Sequence, residues 1–430
     1  MEFQETKNEI VKTIIVLNKK YMQKDKNEGF LVGATSFSLH MKNFIKRNNG
    51  YVGSLYYERE DDISEPILYK EGNDDDFSLC IKFNYSMPTD MLTEILRNAF
   101  SIFAERLEKP YDKFIVYYQT DTLLSFHPIE IPYCVTHHGP FIEDFVHHYS
   151  YKEASYAFGG NDKVNHLFKQ QNKGISVLKN GNGFAILHSS IQKNYLSNKG
   201  ISQEKCLKIT PPVNLPTHTI SDDINIQTIH DFMGKITADD IILLTAVARL
   251  DYFKNIEMFL KASVKLAETN QRIKILIIGD NQDYEERREK MHNMIPLAIK
   301  DRFIIYPKLS PTKLNSVFTA LKKKGIFVCT SRYETLGITP LEAALSGIYT
   351  LMPALDSVEA SLYFKDEDRF YYDTTELVVK LKSIIKLENY NNTTQQKYIE
   401  NIFSTSNFSH SVYKAWDAMS TYLKQKTTMQ

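Results

Sequence analysis

Two carboxylates eight positions apart, Glu334 and Glu342, bracket a glycine in the stretch CTSRYETLGITPLEAALSGI, Cys329–Ile348. A hydrophobic run, Gly325–Cys329, leads into this polar loop, and a helical pattern starts near Ile338–Thr339. Gly337 lets the backbone come close to a ligand. The first amides of a helix point outward without partners, and with the helix dipole they bind phosphate oxygens. Glu342 falls within the second helical turn, where a carboxylate can accept both hydroxyls of a ribose. A second set stands in TAVARLDYFKN, Thr245–Asn255, where Arg249 and Lys254 follow the carboxyl end of a strand. Open α/β sheets bind ligands at that end. A departing nucleoside diphosphate develops negative charge, which a fixed guanidinium and ammonium stabilise. Taken singly, these residues also read as a solvated loop acid, a helix-face acid and a solvated turn. Their combination at two strand ends favours a nucleotide site.

Those side chains need a scaffold of strands and helices, and the pattern supplies one. Continuous β runs at Ile241–Ala248, Ile273–Gly279, Arg302–Tyr306, Gly325–Cys329 and Ile348–Met352 alternate with helical stretches at Asn255–Glu268, Tyr284–Lys300, Pro311–Lys323 and Thr339–Ser346. Unbroken Val/Ile/Leu strands between helices indicate a parallel sheet covered on both faces. The N-terminal half offers strands at Thr13–Leu17, Leu79–Phe83, Phe114–Tyr118, Tyr133–Thr136 and Phe184–Leu187, with helices over Leu39–Arg47 and Thr89–Leu107. Tyr51–Asp76 reads as a charged, irregular surface excursion. Between the halves, ITPPVNLPTHT (Ile209–Thr219) holds three prolines in six residues, a linker composition. The expectation is an α/β protein of two Rossmann-like domains facing a cleft, residues 1–212 and 213–402.

Composition narrows the partners. A chain of 430 residues suits two domains rather than one core, and 43% hydrophobic with 24% charged residues is an ordinary globular balance. Lys plus Arg equals Asp plus Glu at 52 each, which argues against a dedicated nucleic-acid binder. Cys80, Cys134, Cys206 and Cys329 are far apart with no CxxC spacing, so buried free thiols in a reducing compartment are expected. The N-terminal run Thr13–Leu17 is too short for a secretion signal, and no stretch approaches the about 18 apolar residues of a membrane span. The expected location is the cytoplasm, either free or at the inner face of a membrane.

Together these elements resemble glycosyltransferase family 4, the large group of retaining GT-B enzymes. The resemblance rests on the E-x7-E motif from Glu334 to Glu342, the R-L-D-x-x-K-N turn from Arg249 to Asn255, the strand ending in Gly279-Asp280, and the LEAALSG helix end. It covers Ile241 to Met352 well. Over the N-terminal half it continues more weakly, in VTHHG (Val135–Gly139), in Gly33-Ala34 before the first helix, and in FAILHSS (Phe184–Ser190). The resemblance implies a GT-B fold with parallel sheets facing an interdomain cleft, an N-terminal acceptor domain, a C-terminal donor domain, and a final segment, 403–430, packing back on the first domain. It implies that Arg249 and Lys254 hold the donor phosphates, that Glu342 holds the ribose, and that Glu334 with Thr335, Leu336 and Gly337 contacts sugar and phosphates. Gly33 would approach the donor, and His138 would hydrogen-bond the donor sugar near its reacting face. It further implies transfer with retained configuration, a UDP-sugar by default, and neither a cofactor nor an obligatory metal. Ala34 stands where the second glycine is usual, and Ala354-Leu-Asp-Ser-Val-Glu stands in place of a Gly-Gly turn.

Competing readings are bland. His137 is an alternative to His138 on the same strand end. A metal site among His137, His138, His147 and His148 is disfavoured, because adjacent histidines on a strand face opposite ways. Asp74–Asp76 and Asp366–Asp368 read as solvated surface, and Met41–Arg47 as a helix with a wet basic face rather than a lipid contact. No carboxylate in the N-terminal half stands out as a nucleophile, so the leaving phosphate itself would take the acceptor's proton. The acceptor (glycan, lipid, small molecule or peptide) is not read from the sequence. The rival functions are a nucleotide-sugar epimerase of the same plan and a catalytically silent scaffold.

Overall fold

The computed structural model describes residues 12–22, 24–25, 29–30, 33–72, 77–107, 114–213, 231–232, 234–280, 285–387 and 393–427. The first sheet contains β1 (Lys12–Asn18), then a two-residue hairpin pair β2 (Lys24–Asp25) and β3 (Gly29–Phe30) set apart from it. Its remaining strands are β4 (Val52–Arg59), β5 (Ile67–Glu71), β6 (Ser78–Phe83), β7 (Phe114–Tyr118), β8 (Tyr133–Val135), β9 (Phe184–Leu187) and β10 (Cys206–Lys208). Their order is β10-β9-β8-β7-β1-β4-β6-β5, parallel throughout except for β5 at the edge. Because strand side chains alternate, two cores form. Ile14, Val16, Val116 and Tyr118 face the helix Thr89–Leu107, whereas Ile15, Ile115 and Tyr117 face the opposite layer.

The helices of this half are α1 (Gly33–Arg47), α2 (Thr89–Leu107), α3 (Ile142–His148), α4 (Tyr151–Phe158), α5 (Asn161–Asn180) and α6 (Ser190–Asn198). Met41, Phe44 and Ile45 turn inward from α1 while Lys46 and Arg47 stay exposed. Tyr51–Asp76 is not a surface excursion. Val52–Arg59 is β4, hydrogen-bonded in parallel beside the central β1, and Ile67–Glu71 is the antiparallel edge strand. The charges that disguise β4 sit at its outer end, where Glu58 pairs with Lys82 at 3.4 Å. Asp74–Asp76 fall outside the described residues, as does the linker beyond Val213.

The second sheet contains β11 (Ile241–Ala246), β12 (Ile273–Ile278), β13 (Phe303–Tyr306), β14 (Gly325–Val328), β15 (Tyr349–Pro353) and β16 (Arg369–Phe370), ordered β13-β12-β11-β14-β15-β16. Numbered within the domain this is 3-2-1-4-5-6, the doubly wound order, with its switch point between β11 and β14. Around it pack α7 (Ile256–Thr269), α8 (Glu285–His292), α9 (Pro311–Leu321), α10 (Ile338–Leu345), α11 (Thr374–Lys386) and α12 (Thr393–Ile402). The helix expected over Tyr284–Lys300 stops at His292, and Leu297–Arg302 continues as a 3-10 turn. Pro296 explains the break, since the residue before a proline avoids the helical region.

Finally, α13 (Thr405–Thr427) crosses back to the first sheet. It buries Phe408, Val412, Ala415, Trp416 and Met419, a helical stripe, against Ile15, Phe37, Phe44 and Tyr117. The Trp416 and Tyr117 rings meet edge-on at 6.0 Å. Among the described residues no helix is long and apolar enough to cross a membrane. All four cysteines are free, with Cys206 partly exposed and the other three buried.

Candidate functional site

At the switch point of the second sheet, the segments following β11 and β14 are laced together. The Arg332 amide donates to Phe253 O at 2.7 Å, and the Thr330 hydroxyl to Lys254 O at 3.1 Å. Asp251 accepts the Lys254 amide at 3.3 Å, and Asn255, in the left-handed region at φ +47°, anchors through Tyr372 at 2.7 Å. This lacing brings the Lys254 ammonium onto Glu334 Oε1, to which Ser331 also donates at 2.8 Å. Both side chains keep a little exposure, 19% and 15%. Burial alone pulls the Lys254 pKa down, but the Glu334 charge and hydrogen bond, with Asp251 behind them, more than reverse it, so the net direction is upward. The result is a fixed cation, charged at neutral pH, facing the cleft end of the sheet.

Arg249 stands apart from that pair. Its side chain is 69% exposed and leans on Asp251 at 3.2 Å. The backbone beside it is fixed from below: wholly buried Asp280, at φ +60°, accepts the Leu250 amide at 2.9 Å. The Gly337 backbone adopts φ +86° as the cap of α10 and lends no side-chain cap to the helix amides. A Cβ there would lie 3.0 Å from Ala360, so both conformation and space demand glycine. Pro340 occupies the first turn of α10, where its missing N–H costs nothing. Thr335 and Leu336 form the bend between Glu334 and Gly337. Glu342 sits half-buried on α10; burial raises its pKa from the usual 4.5 to about 7. Among the described residues its carboxylate has no hydrogen-bond partner.

Across the cleft, the loop that follows β8 carries His137 and His138. His137 stacks on Phe141 with centroids 4.3 Å apart and approaches Asp121 at 3.6 Å, packing into the N-terminal domain. His138 Nε2 meets the buried Gln119 amide oxygen at 3.1 Å, which leaves Nδ1 as an acceptor. Burial first, then the neighbouring His188 and His137, holds its pKa well below the ordinary histidine value. His138 is therefore a neutral hydrogen-bonding group at physiological pH. Gly33 opens α1 beyond β1, the strand beside β7.

The two halves meet through an aromatic cluster. Phe145 of α3 lies 5.9 Å from the Tyr333 ring and 5.4 Å from Phe253. Hydroxyls reinforce it: Tyr333 to Asp144 at 2.6 Å, Tyr149 to Arg332 O at 2.6 Å, and Tyr252 to Glu153 at 2.7 Å. Tyr252, Phe253 and Tyr333 immediately precede Lys254 and Glu334, so α3 and α4 brace the loops of the site.

Thus the structure joins Lys254 to Glu334 and leaves Arg249 and Glu342 separate from that pair. Sequence reading missed Ser331, Asp251 and Gln119, whose roles depend on partners in space; the left-handed Asp280 carried one signal, its place after Gly279. Among the described residues no three His, Cys, Asp or Glu side chains gather as a metal cage. Asp366–Asp368 is only partly solvated surface: Asp366 is exposed, but Asp368 is buried and accepts from Gln395 at 3.3 Å.

Comparison with known proteins gives a consistent picture. Residues 229–403 match the family described as glycosyl transferases group 1. The alpha-monoglucosyldiacylglycerol synthase of Streptococcus pneumoniae is 25% identical over 63% of this chain and 61% of its own length. The match thus spans less than two thirds of that relative. Sucrose-phosphate synthase from Thermosynechococcus elongatus superposes with a TM-score of 0.61 at 15% identity, over 97% of this chain and 98% of that one. Anabaena HepE, solved in complex with UDP and glucose, superposes with a TM-score of 0.62 at 14% identity, over 94% and 98% respectively. The fold is GT-B.

Proposed function

We propose that this protein, whose residues 229–403 match the family described as glycosyl transferases group 1, moves a sugar from a nucleotide-sugar donor to an acceptor, with retained configuration and without a metal. The observation that carries the reading is the Lys254–Glu334 pair at the switch point of a 3-2-1-4-5-6 sheet, beside the uncapped start of α10. Lys254 and the α10 amides meet the diphosphate, and Arg249 folds in from the rim when a nucleotide is present. Glu342 accepts the ribose hydroxyls, which answers its lack of a partner among the described residues. Glu334, Thr335 and Leu336 line the sugar side. His138 accepts a hydroxyl of the sugar through Nδ1; as a neutral imidazole it orients the donor rather than protonating it. The leaving phosphate takes the acceptor's proton.

UDP-sugars are the first donors to test, because HepE was solved with UDP and glucose. A diacylglycerol lipid is the first acceptor class to test, because the pneumococcal relative is named for such a product. That acceptor would place the protein at a membrane surface. The test is a thermal-shift screen of UDP-, GDP- and ADP-sugars, followed by transfer to acceptors in detergent micelles. A ligand at 100 times its dissociation constant stabilises by about 2.7 kcal/mol. No shift with any of them would sink the reading. Conversion of a nucleotide sugar incubated alone would replace it with an epimerase, and binding without transfer to any acceptor would favour a silent scaffold.

A further inference from the structure

Glu359 is wholly buried, and its carboxylate bonds none of the residues assigned above to the nucleotide. It opens the short 3-10 helix Glu359–Tyr363 of the C-terminal domain, and its carboxylate reaches across to the start of α6 in the N-terminal domain. Oε2 accepts the Ser190 N–H at 2.9 Å and Oε1 accepts the Ser190 hydroxyl at 3.2 Å. The Tyr363 hydroxyl donates a third bond at 3.1 Å. A carboxylate at a helix N-terminus is favoured by the dipole, and charge-assisted bonds strengthen where water is excluded.

Each end of this contact leads to one half of the site. On the C-terminal side the Glu359 amide donates to Glu334 O at 3.1 Å, and the Glu334 amide donates to Ser357 O at 2.9 Å. Glu334 is the residue that holds Lys254. On the other side Ser189 and Gln192 form the capping box of α6. Gln192 accepts the His188 amide at 2.7 Å and donates to His137 O at 2.5 Å, one residue before His138. Hydrogen bonds, joined through the first turn of α6, therefore connect Lys254 and Glu334 to the loop of His138. Glu359 is where that run crosses between domains. The tyrosine contacts at Asp144, Arg332 and Glu153 also bridge the domains, but they end on α3 and α4 or their flanks rather than at the histidine loop.

We infer that Glu359 is a positioning residue that sets the distance between the sugar-orienting histidine and the phosphate-binding pair. The inference rests on the function proposed above, although the joint itself can be read without any transfer assay. Two variants cut it from opposite sides. Glu359→Gln removes the charge and turns one acceptor into a donor facing another donor. Ser190→Pro deletes both of the donors it receives. Ser190 is the first residue of α6, where proline is at home, and Ser189 is already extended at φ −142° and ψ 160°. Each variant should lower turnover on the order of 10-fold or more, since small misplacements of reacting groups are costly. Calorimetry should give UDP affinity within about twofold of the parent. The double variant should lose no more than the worse single one, because both cut the same joint. Hydrogen exchange at 136–140 should quicken in Glu359→Gln. Parental turnover in either variant overturns the inference, as does UDP affinity that falls in step with turnover, or losses that multiply in the double variant. Should Glu359→Gln fail to fold, Ser190→Pro carries the same comparison, with exchange at 136–140 as its readout. If the parent transfers no sugar from any donor, exchange alone decides. Unchanged exchange at 136–140 then overturns the tie, whereas faster exchange upholds it.

Discussion

Burial lifts Glu342 from the usual 4.5 to about 7, so near neutral pH much of this carboxyl is protonated in the free protein. The unfolded chain releases the same proton near 4.5. Stability from this group is therefore fully present below that pH and is lost as pH rises towards about 7, a difference on the order of 3 kcal/mol. Glu342→Gln should abolish that loss, so its stability relative to the parent rises between pH 4.5 and pH 8 in denaturant titrations. A ribose diol needs the charged form, so nucleoside diphosphate affinity of the parent should climb through the same window while the glutamine variant binds weakly at every pH. Calorimetry at pH 5.5 and 8 checks this; equal affinities for parent and variant would remove Glu342 from the site. Lys254 behaves oppositely, since its partner keeps it charged. Lys254→Ala deletes the cation held against Glu334 and should cost about 10²–10³ in turnover. Transfer at the parental rate would remove Lys254 from the phosphate site.

The loop from Glu334 to Gly337 and helix α10 act as one element. With φ +86° and a Cβ only 3.0 Å from Ala360, Gly337→Ala should cost about 1–2 kcal/mol from the left-handed backbone alone. The helix start should shift with it, so thermal stability and UDP affinity fall together; a stability loss with unchanged affinity would show that the α10 amides do not touch the ligand. This element was legible in the sequence because its determinants are local: an apolar strand, a glycine, a proline in the first turn. The same holds for β11, β12 and β14. Where local signals conflicted, the reading failed. In β4 the tail Glu58-Arg59-Glu60 masked a strand whose inner residues Leu55 and Tyr57 are buried. In Tyr284–Lys300 the charged pattern ran on through Pro296. The site divides likewise. Lys254 and Glu334 follow from strand ends, but Gln119, Asp280 and Glu359 act through partners brought near by folding alone; Ser190 is 169 positions from Glu359.

At the scale of the whole molecule, α13 closes the first domain. Trp416 is the sole tryptophan and is 3% exposed beside Tyr117, so intrinsic fluorescence reports whether α13 is docked. Emission should be blue-shifted in the native protein. Trp416→Ala should destabilise by about 3–5 kcal/mol, whereas Ser406→Ala, exposed in the first turn of α13, should change stability by less than about 0.5 kcal/mol. Equal effects from both would contradict the packing. The crossing has a consequence for synthesis. The helix that covers Ile15, Phe37 and Tyr117 is made only after the entire second domain. At a ribosomal pace of about 5–20 residues per second, the first sheet waits at least ten seconds or so with one greasy face covered only in part, by α1. The second domain, whose strands and covering helices all lie in one run, can mature during that interval. The half of the molecule that begins first is thus finished last, and a nascent chain stalled anywhere before α13 is a natural client for a chaperone.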